Sequence, residues 1–128
     1  MNEEKEDKGY YNAEKIFIGH NHFSSQTGTL LNIYRGGNDE STLGPDLTFS
    51  HNSLHSCSSE NGQPLISFTG IQVTNLFSNT FTNCNKGAIL IKYTDIVRAK
   101  HLFEKNNLVA SGQLEKDQFL TEKNNTFK

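Results

Sequence analysis

The residues best suited to chemistry lie in one glycine-rich insertion, Tyr34–Asp46, with the sequence YRGGNDESTLGPD. Its Gly-Gly and Gly-Pro pairs supply the backbone angles that a loop of this kind needs. Arg35 is a cation and Asp39 and Glu40 are carboxylates, so these side chains could bind a sugar hydroxyl or a carboxylate. They could equally pair with one another and hold the loop in shape. The predicted substrate-binding residues are Tyr34, Arg35, Asp39 and Glu40.

Two other groupings offer weaker chemistry. Lys92, Tyr93 and Arg98 lie close together in sequence and could form a base and acid set, although no second feature supports it. Four histidines suggest a surface metal site, but a solvated row of imidazoles stacked on an outer face is the favoured interpretation. These histidines are His20 and His51, with His22 and His55 nearby. We therefore predict no catalytic residue, no metal ligand and no cofactor in this chain.

The elements that position these residues follow from an internal repeat. Its clearest copy reads Thr74-x-Leu76-x-x-Asn79-x-Phe81-x-x-Cys84, and related copies stand on both sides. The asparagines of the successive copies are 31, 27, 27 and 19 residues apart. A period in the twenties is typical of a solenoid, in which one coil cannot bury its apolar face alone. The repeated asparagines are Asn21, Asn52, Asn79, Asn106 and, in a degraded copy, Asn125.

The repeat fits strand geometry better than helix geometry, because apolar and polar residues alternate within it. Three copies carry a second strand signal: Leu31-x-Ile33, Ile66-x-Phe68 and Ile89-x-Ile91. Stacked coils place equivalent strands in parallel about 4.8 Å apart, so inward asparagines can bond from coil to coil. We predict an all-β, right-handed parallel β-helix of about four to five coils with an inward asparagine ladder. A repetitive β-sandwich is the alternative, but its hairpin turns every ~8–12 residues are not evident.

The predicted boundaries are a charged N-terminal tail, residues 1–12, and a single β-helix domain, residues 13–128. The net charge of −2 gives no indication of a nucleic-acid partner or an anionic membrane surface. The chain contains no apolar run long enough to span a bilayer and no secretory signal, and its localisation stays open. Cys57 and Cys84 share one repeat position and are interpreted as small buried thiols, with a disulfide as the alternative.

The two ends of the repeat differ from its middle. Ile16 opens a coil with no earlier coil beneath it, so we expect another segment or self-association to cover that face. In the last copy Glu122 replaces the second apolar residue, as in a fading terminal coil. These features suggest the C-terminal part of a longer β-helix protein.

The segment LLNIYRGGNDESTLGP, with repeats on both sides, resembles the second β-helix domain of family-6 polysaccharide lyases. These are the alginate (polymannuronate) lyases related to chondroitinase B. The resemblance runs from about Gly9 to Leu108 and is most specific in YRGGNDEST. It implies a periplasmic or secreted protein and β-elimination on uronate polysaccharides, with calcium neutralising the substrate acid and a Lys/Arg pair as base and acid. Those groups lie in the family's first domain and have no match in this sequence.

Three functions remain open. The first is a lyase-derived β-helix domain, structural or in contact with alginate, that works with an upstream catalytic domain and is inactive alone. The second is an independent carbohydrate-binding module that stacks sugar rings on exposed aromatic residues. Its candidate residues are Tyr10, Tyr11, Tyr34, Tyr93, Phe17 and Phe77. The third is a structural protein that assembles end to end through residues 16–23.

Overall fold

The computed structural model describes residues 15–34, 46–71, 73–94, 100–116 and 120–128. Within these ranges every regular element is a β-strand, and the predicted tail, residues 1–12, lies outside them. The strands are β1 (Lys15–Gly19), β2 (His22–Ser24), β3 (Leu31–Tyr34), β4 (Asp46–Ser50), β5 (Ser53–His55), β6 (Ile66–Thr69), β7 (Val73–Phe77), β8 (Thr80–Thr82), β9 (Ile89–Thr94), β10 (Lys100–Glu104), β11 (Asn107–Val109), β12 (Gln113–Glu115), β13 (Leu120–Lys123) and β14 (Thr126–Phe127).

Three parallel sheets surround one core. The first contains β1, β4, β7, β10 and β13, the second contains β2, β5, β8, β11 and β14, and the third contains β3, β6, β9 and β12. Each strand pairs in parallel with the equivalent strand one coil away, which makes the chain a parallel β-solenoid, as predicted. About three turns have coils on both sides, so the fully stacked part is slightly shorter than the predicted four to five coils.

The strand register aligns the repeat positions in columns that run along the solenoid axis. Ile18, Phe49 and Leu76 form one column in the first sheet. Alternate residues point into the core, so the apolar members of these columns are buried in the middle coils. Each fully buried Leu or Phe contributes about 1.5–3 kcal/mol. The matching column of the second sheet consists of Phe23, Leu54, Phe81, Leu108 and Phe127.

In one strand the register differs by two residues from a match of the repeated apolar pairs in order. Matching the pairs in order would place Ile89 opposite Ile66, whereas the structure pairs Ile66 with Ile91. A turn precedes the strand: Asn85 has a φ of 47°, and its carbonyl accepts a hydrogen bond from the Ala88 N–H at 3.0 Å. Hydrophobic spacing does not reveal such a turn, because Ile89 and Ile91 fit a period of two in either register.

The predicted asparagine ladder is present. The Oδ1 atom of Asn79 accepts bonds from the main-chain N–H of Asn52 at 2.9 Å and from its Nδ2 at 3.2 Å. The Nδ2 of Asn79 donates in turn to the Oδ1 of Asn106 and to the Phe49 carbonyl, both at 2.9 Å. Each bond is worth about 0.5–1.5 kcal/mol net, and a buried amide left unpaired would cost more. The ladder consists of Asn21, Asn52, Asn79, Asn106 and Asn125.

Two cysteines form part of the same core. Cys57 and Cys84 are free thiols and both are buried, as predicted. The Sγ of Cys84 lies 3.5 Å from the carbonyl oxygen of Leu54 in the neighbouring coil. Burial raises the pKa of the Cys84 thiol, so its uncharged form is favoured. A buried thiol of this kind is unreactive and serves the core as a small apolar side chain.

Candidate functional site

An exposed aromatic ring lies on the outer face of the first sheet. Phe17 is 64% exposed, while its neighbours Ile16 and Ile18 pack against the core. Gly19 makes room for the ring, because a Cβ atom there would lie only 2.5 Å from it. The ring therefore lies across the strand surface. The predicted outward orientation of Phe17 is confirmed, and the result is a flat apolar surface.

The corner between the first and second sheets continues this aromatic surface. The imidazoles of His20 and His51 stack with centroids 4.9 Å apart and planes 12° from parallel, as predicted. The ring of Phe77 meets His51 edge-on, with centroids 5.6 Å apart and planes at 84°. Both histidines are exposed and Phe77 is half-buried. Aromatic rings thus extend from the first coil to the third.

A left-handed backbone conformation positions the histidines. The φ angles of His20 and His51 are 58° and 55°, a region that residues with a Cβ atom adopt at a cost. The residue before each ladder asparagine has this conformation in every coil. This repeat position is therefore defined by its left-handed backbone and not by the type of its side chain. No glycine occupies the position, which explains why the sequence does not reveal it. The other members are Ser78, Lys105 and Asn124.

The histidines do not converge on a metal site. Parallel stacked imidazoles direct their ring nitrogens side by side, whereas the ligands of a metal ion must converge on one point. Across the described ranges, no group of three or more His, Cys, Asp or Glu side chains is arranged to hold a metal ion.

The predicted substrate-binding loop ends at the first sheet. It connects β3 to β4 and enters the first sheet at Asp46, whose register partner is Lys15, two residues before Phe17. The predicted residues outside the described part of the chain are Arg35, Asp39 and Glu40, together with the side chain of Tyr34.

The hypothetical base and acid set is divided between the surface and the core. The Nζ of Lys92 points outward and lies 3.6 Å from a carboxylate oxygen of Glu115. Tyr93 is 4% exposed and packs against Phe68, so its prediction as a sugar-stacking residue is wrong. Burial raises the pKa of Tyr93, and the side chain of Thr74 near its hydroxyl offsets part of that shift. Arg98 lies outside the described residues, as do Tyr10 and Tyr11.

An open cavity of about 470 Å³ lies at the C-terminal end of the solenoid. Leu108, Leu114 and Phe127 form its apolar wall, and Phe127 is 59% exposed. Lys116 and Glu122 line it as an ion pair with an N–O distance of 2.7 Å. Glu122 stands in the inward column that is apolar in the four preceding coils. From Glu122 the sequence predicted that this is a degraded terminal coil, but it did not predict the cavity.

Comparison with known proteins identifies no relative: no protein-family model, no curated protein and no solved structure matches the chain. None of the described segments forms a helix long and apolar enough to cross a membrane. The β-solenoid fold therefore stands on the structure, and the kinship with polysaccharide lyases stays a prediction.

Proposed function

We propose that this chain is a β-helix module that binds an acidic polysaccharide such as alginate across its first sheet. In this proposal it acts beside a lyase-like catalytic domain and performs no elimination itself. The resemblance in YRGGNDEST and the parallel β-helix fold both support the proposal. The observation that carries it is the exposed ring of Phe17, laid flat over Gly19 next to the stacked histidines.

Stacking on a sugar ring requires a flat apolar surface with polar groups at its border. Phe17 supplies such a ring face. His20 and His51 turn their faces toward each other and Phe77 meets His51 edge-on, so these rings provide aromatic edges and ring nitrogens at the border, over three coils or about 10 Å at the usual strand spacing. An aromatic face of this kind packs against the C–H side of a pyranose and leaves the hydroxyls free to form hydrogen bonds.

Cations on the same side of the solenoid support an acidic ligand. Lys15 and Lys100 begin two strands of the first sheet and are exposed, and Lys105 is exposed at the corner beyond the same sheet. An ammonium group at a surface attracts a uronate carboxylate without the fixed geometry that a buried ion pair requires. The loop residue Arg35 adds a further cation, in a segment that begins after β3 of the third sheet and ends at β4 of the first.

Calorimetric titration with alginate oligosaccharides tests the proposal. Phe17→Ala should weaken binding about two- to tenfold, corresponding to about 0.5–1.5 kcal/mol for one aromatic stacking contact. Phe127→Ala is the matched control, because Phe127 is similarly exposed (59%) but lies at the far end of the solenoid. Equal affinities for Phe17→Ala and the unaltered chain, or no binding by either, would contradict the proposal.

The loop requires a separate variant. Arg35→Ala should reduce alginate affinity and leave the melting temperature unchanged if Arg35 contacts the ligand. Loss of folded protein would instead assign Arg35 to the structure of the loop.

The absence of catalysis is tested with the unaltered chain. Alginate and calcium are supplied, and the absorbance of the unsaturated uronate product is followed. We expect no increase, since no Lys/Arg pair matching the family's base and acid was identified in the sequence. Measurable turnover would overturn the non-catalytic part of the proposal.

A further inference from the structure

The asparagine ladder has a chemical direction. At every step the main-chain N–H of one asparagine donates to the Oδ1 of the asparagine one coil further on. Asn21 begins the ladder, and its Oδ1 has no donor among the described residues. Asn125 ends it: its Oδ1 accepts from Asn106, while its own N–H has no acceptor in the described part of the chain. One end of the ladder is an acceptor and the other is a donor.

The main-chain donors and acceptors of the first and last coils are complementary in the same way. Each corner N–H donates to the carbonyl that ends the first-sheet strand of the next coil, at 3.1–3.2 Å. Continuing this pattern pairs the N–H of Asn124 with the carbonyl of Gly19 in another copy. The N–H after each ladder asparagine donates to the ladder carbonyl of the preceding coil at 2.8–2.9 Å. Continuing that pattern pairs the N–H of His22 with the carbonyl of Asn125.

The apolar surfaces of the two ends are also complementary. Ile16, Ile18 and Phe23 in the first coil are only half-buried, because only one face of each is covered by a described coil. The cavity of about 470 Å³ at the opposite end is open and mainly apolar. Extending the second-sheet column by one coil places Phe23 of another copy over Phe127, at the mouth of this cavity.

We propose that copies of this chain associate head to tail, with the first coil of one copy stacked on the last coil of another. Open edges of parallel strands accept further strands, and the two edges of this solenoid match each other in donors, acceptors and register. The contact is heterologous and repeats by translation along the axis, so it leads to open oligomers and not to closed dimers.

One ion pair opposes this association. Glu122 occupies the column that begins with Ile18, so stacking covers Glu122 and its partner Lys116. Inward charges on edge strands commonly protect a sheet against strand addition. Covering an ion pair also removes it from water, which costs free energy. The pair therefore weakens the contact, and replacing Glu122 with an apolar residue should strengthen it.

Sedimentation velocity with the full chain and two blocked variants tests the contact. Ile18→Lys places a charge in the first coil and Leu120→Lys places one in the last coil. The unaltered chain should increase in mean mass with concentration, and each variant alone should remain monomeric. An equimolar mixture of the two should form a 1:1 dimer and nothing larger. The unblocked ends are the last coil of Ile18→Lys and the first coil of Leu120→Lys, and a single contact uses both.

Other outcomes would overturn the proposal. Dimers of Leu120→Lys alone would indicate contact between two N-terminal ends, and dimers of Ile18→Lys alone contact between two C-terminal ends. A monomeric unaltered chain at all concentrations would exclude association. Phe17→Lys is the matched control for Ile18→Lys, since it adds the same charge to the outer face of the same strand and should leave association unchanged.

A further variant covers the case in which the blocked chains fail to fold, which circular dichroism and the melting temperature would reveal. Glu122→Leu restores an apolar residue to the inward column. It should lower the concentration needed for half-maximal association by about tenfold. Unchanged or weaker association in a folded Glu122→Leu chain would contradict the stacking geometry.

Discussion

Phe81 and Phe23 occupy the same repeat position in different environments. Phe81 is fully buried, with Leu54 and Leu108 stacked on its two sides. Phe23 has only Leu54 as a column neighbour among the described residues and is half-buried. In a solenoid each coil contacts only its neighbours, so burial depends on how many neighbours a coil has. The same residue type should therefore contribute less stability in a terminal coil than in a middle coil.

The largest difference is expected for the two phenylalanines. Phe81→Ala removes a fully enclosed ring and leaves a cavity, which should lower the free energy of unfolding by about 3–5 kcal/mol. Phe23→Ala removes a ring already partly in water and should cost about 1–2 kcal/mol. Urea unfolding followed by circular dichroism measures both. Equal losses of unfolding free energy in the two variants would mean that side chains of the first coil are as well covered as those of the third.

The asparagine ladder offers a second comparison between a middle coil and a terminal coil. Asn79→Ala leaves the buried N–H of Asn52 and the carbonyl of Phe49 without their partners, which should cost about 2–4 kcal/mol. Asn21→Ala removes one side-chain bond to Asn52 at a partly exposed site, and we expect a loss of about 1 kcal/mol or less. The same urea measurement applies. A similar loss at both sites would show that the ladder does not depend on burial.

The middle coils also contain two acidic groups whose ionisation is disfavoured by burial. The pKa values of Cys84 and Tyr93 are raised above their ordinary values of 9.0 and 10.0. At high pH the folded chain therefore retains protons that the unfolded chain releases. The contribution of these two groups to stability should be constant up to about pH 9 and should fall above it, by up to ~1.4 kcal/mol per pH unit for each retained proton.

Tyr93→Phe isolates the tyrosine contribution to this pH dependence. It removes the buried hydroxyl and should reduce the loss of stability above pH 10, with equal or higher stability at pH 7. Urea unfolding at several pH values measures both effects. An unchanged slope above pH 10 in Tyr93→Phe would show that the tyrosine is not responsible.

The smallest effect on stability is expected on the outer face. Gly19→Ala places a Cβ where the Phe17 ring lies, and the exposed ring can move away. The free energy of unfolding should change by about 0.5 kcal/mol or less, as for most surface substitutions. Alginate affinity should nevertheless decrease, because the flat surface is displaced. A large loss of stability would show that the ring supports the fold.

The sequence was most informative where burial restricts the choice of residue. An inward amide must find partners in every coil, so the asparagines at regular spacing reveal the ladder, and the columns of Leu, Ile and Phe follow from their alternation. The sequence was less informative at the bends. Ser, Lys and Asn follow the two histidines at the left-handed position, and their side chains have no common property to indicate it.

A buried pair of polar side chains shows a second limit of the sequence pattern. Thr74 and His101 occupy a repeat position filled by Ile16, Leu47 and Leu120 in the other coils. Both are buried, and Thr74 Oγ1 lies 2.9 Å from His101 Nδ1. Their polarity alone gave no reason to expect them in the core, and it is satisfied only because the register places them side by side.

The sequence alone determined the solenoid architecture, since a repeated inward asparagine with alternating apolar residues can be satisfied only when coils stack in register. Tertiary structure decided the rest: the two-residue shift in β9, the ring of Phe17 across Gly19, the stacked histidines and the cavity beside Glu122. These features depend on turns and on contacts between residues far apart in the chain. Local sequence patterns carry no information about such contacts until the coils have been placed against one another.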